Sequence, residues 1–172
     1  DAAGAMRLYD LPPETTEREA MERLWQETPG YCEENPCPFV KYSFSRVVSI
    51  AFLSRRIVFK DGERHIEFGL HSLPKLPLDA AVSDEAEIIG QFLHYVGVRS
   101  PQLVGYNSME ADLQVLIQRG LINEVRAESF SDRPNKPWEG RDYFDKFGES
   151  HLDLMKRFSS GAMTPRLNDL AR

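Results

Sequence analysis

Apolar positions recur along the chain with two periods, and each change of period marks a new element. In the first forty residues, Met21, Leu24 and Trp25 form a helical stripe. Thr15 or Thr16 stands where a cap belongs, and Glu17 and Glu19 suit the positive end of a helix dipole. One helix is predicted there, ending before Pro29-Gly30. Residues 28–38 read as a loop, because proline and glycine cannot continue a regular element. Arg46 to Leu53 is nearly continuous in apolar and β-branched content, which predicts a largely buried strand. Ile57–Lys60 and His65–Leu70 flank Asp61-Gly62, a dipeptide suited to the positive φ angles of a tight turn, and predict antiparallel strands.

After Pro74 and Pro77, Ser83 is placed to cap a helix whose first turn carries Asp84 and Glu85. Ile88, Ile89, Phe92, Leu93 and Val96 fall on one face of it, as expected of a helix packed on a sheet. Pro101 stops the helix, Gln102–Tyr106 reads as a short strand, and a second helix is predicted from about Met109. Its inward face holds Leu113, Leu116 and Ile117, and Gly120 falls beyond its end. The order of antiparallel strands, helix, strand and helix predicts an α/β fold: a mixed sheet flanked by helices, with the strands near 46–53, 57–60, 65–70 and 102–106 in one sheet. Residues 128–149 are polar and aromatic, interrupted by Pro134, Pro137 and Gly140, and predict a long loop. Ser150–Met155 returns to alternation as a short strand leading into a helix, and Leu167, Leu170 and Ala171 resume helical spacing at the end of the chain.

The length of 172 residues with 41% hydrophobic content favours one domain over 1–172. Asp and Glu number 27 against 21 Lys and Arg, a net charge of -6, so no broad basic face for coating nucleic acid is visible. That balance leaves a nuclease open, since its metal site is built from carboxylates and it need hold only a strand end. Cys32 and Cys37 lack the two further ligands that a structural zinc site needs, and read as reduced thiols in a loop. No apolar run approaches the roughly 20 residues that span a bilayer, and the opening residues do not read as a signal peptide. A soluble cytoplasmic protein without membrane contact is expected.

The segment richest in candidate chemistry is Leu103-Val104-Gly105-Tyr106-Asn107-Ser108-Met109-Glu110-Ala111-Asp112-Leu113. It puts Asn107 at the end of a strand and Asp112 in the first turn of the next helix, where both can face a crevice at the strand's C-terminal edge. Turn chemistry and the helix dipole account for the same two residues without any function. Gly-Tyr-Asn followed by Asp at a five-residue offset resembles the second exonuclease motif of the proofreading domains of B-family DNA polymerases. Together with His151-Leu152-Asp153-Leu154-Met155, it looks like the predicted bacterial 3′-5′ exonuclease family related to that domain. Arg7-Leu8-Tyr9-Asp10-Leu11-Pro12 is similar to the segment after that family's first strand.

The resemblance implies a ribonuclease H-like domain of the four-carboxylate type that hydrolyses phosphodiester bonds at nucleic-acid 3′ ends, DNA more than RNA, with two Mg²⁺ or Mn²⁺ ions. It implies Asp112 as catalytic and metal-binding, Asn107 and Tyr106 as substrate-binding, and Asp153 and His151 as auxiliary residues. Asp153 serves equally well as a structural aspartate bonding to backbone, and His151 as a packing residue. The carboxylate pair of the first strand and the last motif's aspartate have no match here. The sole Asp-x-Glu, Asp61-Gly62-Glu63, belongs to the hairpin, and no Tyr or His has an Asp at the final spacing. The first strand and C-terminal helix are therefore expected outside these 172 residues, and this chain alone is expected to be a poor catalyst. The alternatives are a nucleic-acid-binding or interaction module that keeps the fold without cutting, and a structural α/β partner protein.

Overall fold

The computed structural model describes residues 1–75, 84–136, 138–159 and 164–170. In chain order the elements are α1 (Ala2–Leu8), α2 (Glu17–Gln26), a 3-10 turn (Tyr42–Phe44), β1 (Ile50–Lys60), β2 (Glu63–Leu73), α3 (Glu85–Arg99), β3 (Leu103–Gly105), α4 (Asp112–Ile122), α5 (Glu128–Ser131), β4 (His151–Asp153), α6 (Leu154–Phe158) and α7 (Leu167–Leu170). This is a mixed α/β protein of helices and small sheets. It divides into two compact units, one of residues 1–46, 106–122 and 153–172, the other of 47–105 and 123–152.

In the first unit, α2 begins as the sequence predicts. The Thr16 hydroxyl accepts from Glu19 N–H while the Glu19 carboxylate accepts from Thr16 N–H, so two amides that the helix leaves unpaired are satisfied together. Ala20 and Leu24 are buried, with Met21 packed beside them. They close on Ala5 of α1, a helix that the apolar pattern did not predict and that Asp1 caps by accepting from Gly4 N–H. Arg119 of α4 is buried against this group, its guanidinium donating to the Asp1 carboxylate and to the Ser43 carbonyl at 2.7 Å. A buried guanidinium held this way is satisfied by charge and by hydrogen bond at once.

In the second unit, Asp61 and Gly62 sit at φ 52 and 82, and β1 and β2 pair antiparallel from Lys60↔Glu63 to Ile50↔Leu73. The segments expected as two strands at 46–53 and 57–60 become one strand that begins only at Ile50, leaving residues 46–49 outside it, since Ser54, Arg55 and Arg56 continue the alternation instead of breaking it. The expectation of a buried strand also fails. Phe52 packs edge-on against Phe92 of α3 and stacks on His71, but the opposite face carries Leu53, Ile57, Phe59, Ile66, Phe68 and Leu70, all exposed. A near-continuous apolar run sets strand propensity, yet it does not say which faces find a covering layer.

The single sheet is corrected too. Among the described residues there are two two-stranded sheets, β1–β2 and β3–β4. β3 has only three residues, bounded by Pro101 and by the left-handed Asn107 at φ 56, so little ladder is available to join it to more strands.

Helix α3 buries Ile88, Ile89, Leu93 and Val96 as predicted, with Phe92 half-buried. Asp84 is its cap, accepting from Ala86 N–H, while Ser83 lies outside the described residues. Glu85 is buried at the start of α3, where its carboxylate accepts from Val47 N–H at 2.7 Å and from the Asn123 amide at 3.0 Å. Gly120 lies inside α4 rather than after it. Residues 128–149 are less irregular than expected. Phe130 of α5 is buried and stacks on Tyr143, whose hydroxyl donates to the Pro101 carbonyl at 2.8 Å and whose phenol burial pushes up in pKa. Among the described residues no helix is long and apolar enough to cross a membrane.

Candidate functional site

The turn between β3 and α4 carries most of the residues nominated from sequence. Asn107 adopts the left-handed conformation that Asn tolerates better than most side chains, and its carbonyl accepts from Ala111 N–H at 3.0 Å. Leu113 N–H donates to the Ser108 carbonyl at 2.8 Å, so residues 107–111 wind directly into α4. Helix α4 starts at Asp112 rather than near Met109 because residues 107–111 are used up in the turn. Asp112 is exposed in the first helical turn, where its charge is favourable to the dipole.

Asp153 holds this turn in place. It is buried at 4% exposure, and both carboxylate oxygens are engaged by backbone. Oδ1 accepts from Asn107 N–H at 2.8 Å and from Met155 N–H at 3.1 Å, and Oδ2 accepts from Met109 N–H at 3.1 Å. A single carboxylate therefore caps α6 and braces the Asn107 turn across 46 residues of sequence. Lys156 adds an exposed link, its Nζ 2.8 Å from Glu110 Oε1. The sequence pattern offered no signal for Lys156. For Asp153, the position directly before a helix was the signal for capping.

Tyr106 is half-buried, and its hydroxyl is enclosed without a hydrogen-bond partner among the described residues. His151 is buried, as is Asp153 two residues on, while Leu152 between them is half-buried; ordinary strand alternation gives the two the same side of β4. A concavity of about 210 Å³ lies elsewhere, lined by Leu93, His94 and residues 126–130, and contains none of the nominated residues.

The donor set does not fit a pair of divalent ions. Among the described residues no three His, Cys, Asp or Glu side chains come together in a group able to hold a metal ion. Asp112 is available, but Asp153 has both oxygens committed to backbone, and one free carboxylate cannot hold two hard cations. Cys32 and Cys37 are free and exposed.

Residues 37–172 match the model of a family described as predicted 3′-5′ exonucleases related to the exonuclease domain of PolB. The match contains both the Asn107–Asp112 segment and His151–Met155; the opening segment at Arg7–Pro12 lies before it. No curated protein and no solved structure matches the chain.

Proposed function

We propose, from the premise that the chain belongs to the family of predicted 3′-5′ exonucleases related to the exonuclease domain of PolB, that it is the central part of an enzyme removing nucleotides from the 3′ end of single-stranded DNA. The observation that carries this reading is the braced turn. A buried carboxylate with three backbone donors fixes the positions of Asn107 and Met109, and the turn delivers Asp112 at the head of α4. Such rigidity is what a residue needs if it is to hold a reacting strand end in one geometry.

In this reading the Asn107 amide, both donor and acceptor, orients the terminal nucleotide, and the Tyr106 ring borders it. Water attacks the last phosphodiester, the bond to the preceding 3′ oxygen breaks, that oxygen takes up the proton that water gives up, and a nucleoside 5′-monophosphate leaves. Asp112 would supply one negative ligand to a Mg²⁺ or Mn²⁺ ion, which would stabilise charge on the phosphate oxygens. The further carboxylates, and the strand and helix that would complete a ribonuclease H-like sheet, are proposed to come from residues outside these 172. The 172-residue chain on its own is then a poor catalyst.

The test uses 5′-labelled single strands of DNA and RNA, each with a free or a blocked 3′ end, incubated with the 172-residue chain and with a form extended at both ends. The extended form should shorten the unblocked DNA progressively from its 3′ end and act more slowly on RNA. Internal cuts, or no trimming by either form, would overturn the reading and leave a binding module on the same fold.

A further inference from the structure

The outward face of the β1–β2 hairpin has a composition that packing among the described residues does not explain. In the observed register Arg55 stands opposite Phe68, Ile57 opposite Ile66, and Phe59 opposite Arg64. The pattern is symmetric about the central isoleucine pair: an arginine is paired with a phenylalanine on each side of it, with the strands exchanged. Phe59 is 72% and Phe68 64% exposed, so both rings present their surfaces to solvent.

Charge on this face is one-sided. The acidic residues within the strands, Glu63 and Glu67, alternate onto the other face, where Glu67 pairs with Arg56 and Lys60 at 2.8 Å. Among the described residues of the hairpin, Arg55 and Arg64 have no carboxylate on their own face. In a protein of net charge -6, a strip bearing two cations, two rings, four aliphatic side chains and no anion is a local reversal of sign. A second copy of this chain stacked on the strip would bring like charges together, so the complementary occupant is an anion with flat apolar groups.

We propose that this face binds a single nucleic-acid strand, Phe59 and Phe68 stacking on bases while Arg55 and Arg64 contact phosphates. The two ring-and-cation pairs are four residues apart along each strand, roughly 14 Å at the usual rise, which an extended strand covers in a few nucleotides. Rings on a sheet with flanking cations form the kind of platform that single-strand binders use without reading sequence. The inference rests on the nuclease reading for its choice of ligand.

The experiment is fluorescence anisotropy of a labelled oligothymidylate with excess chelator, so that binding is measured without cleavage. Phe59→Ala and Phe68→Ala should each weaken binding by roughly 5- to 100-fold. The double variant Arg55→Gln/Arg64→Gln should flatten the dependence of log affinity on log salt by about 1.4, the slope for two phosphates on a single strand. All four side chains are exposed, and circular dichroism confirms that each variant stays folded. The two readings fail separately: binding of this kind by a chain whose extended form never trims DNA would sink the nuclease reading alone, and trimming without this binding would sink the inference alone. Binding that is absent, or unmoved by these substitutions, would overturn the proposal. So would unchanged strand binding together with a change of oligomeric state in Phe59→Ala/Phe68→Ala, which would assign the face to a second copy of the chain.

Discussion

Asp153 is the residue on which the local geometry depends most. Of its three backbone donors, Met109 N–H is buried and those of Asn107 and Met155 are part-buried, so removing the acceptor leaves these N–H groups unpaired as well as losing charge-assisted bonds. Asp153→Ala should cost about 3 kcal/mol or more. Asp153→Asn should cost about 1.5 to 3 kcal/mol, because the new amide keeps one acceptor and turns a donor toward backbone donors. Chemical denaturation measures both; a cost below about 0.5 kcal/mol for Asp153→Ala would mean the brace is dispensable. The residue itself was legible in the sequence, and so was the choice between a structural and an auxiliary role. What the pattern could not show is the partner: bonds from Asn107 and Met109 arise only once the chain has folded back on itself. Asp112 was legible as the first turn of a helix, whereas the enclosed hydroxyl of Tyr106 was not, since alternation gives a side for a ring and not the fate of its polar end.

Among the elements, the hairpin turn was the most readable, because Asp-Gly has a backbone preference of its own. The burial of the strands was not readable, because a run such as Val47 to Leu53 looks the same whether one face or two are covered. Next to the turn, the hairpin carries an exposed charge cluster in which hydrogen bonds from Arg56 and then Lys60 lower the Glu67 carboxyl from its ordinary 4.5 to about 2. A group depressed in the folded state contributes above its unfolded value and loses that contribution as pH falls through the folded one. The protection factors of the amides at the Arg56–Glu67 pair, that is, exchange corrected for its intrinsic pH dependence, should therefore fall between about pH 4.5 and pH 2, and Glu67→Gln should abolish that fall. Protection that stays constant across the window in the parent would remove the cluster's role. At Gly97 a helix meets a backbone. An added Cβ would lie 2.7 Å from the Phe130 nitrogen and 2.8 Å from the Ser129 carbonyl carbon. Gly97→Ala should destabilise by about 1 to 3 kcal/mol in spite of alanine's better helix propensity, and a gain in stability would show that α5 moves freely away from α3.

At the scale of the whole molecule, the α/β class and the family were legible, because both rest on element order and on two short motifs that lie in the matched residues 37–172. The expected single sheet was not, since strand propensity does not determine pairing and β3 is too short to extend the ladder. Nor could composition reveal how charge is distributed: a net of -6 conceals a hairpin face carrying two arginines and no carboxylate. The proposed function turns on Asp112 serving metal-dependent removal of 3′ nucleotides. Its most direct test is single-turnover cleavage of a 5′-labelled DNA strand by the extended protein and its Asp112→Asn variant, with Mg²⁺ and with Mn²⁺. The substitution keeps size and removes the charge that a hard cation requires, so the rate should fall by a factor on the order of 100 or more while thermal stability changes by about 1 kcal/mol or less. A variant that cleaves as fast as the parent, with only its stability altered, would contradict the account and leave Asp112 as a helix-dipole residue.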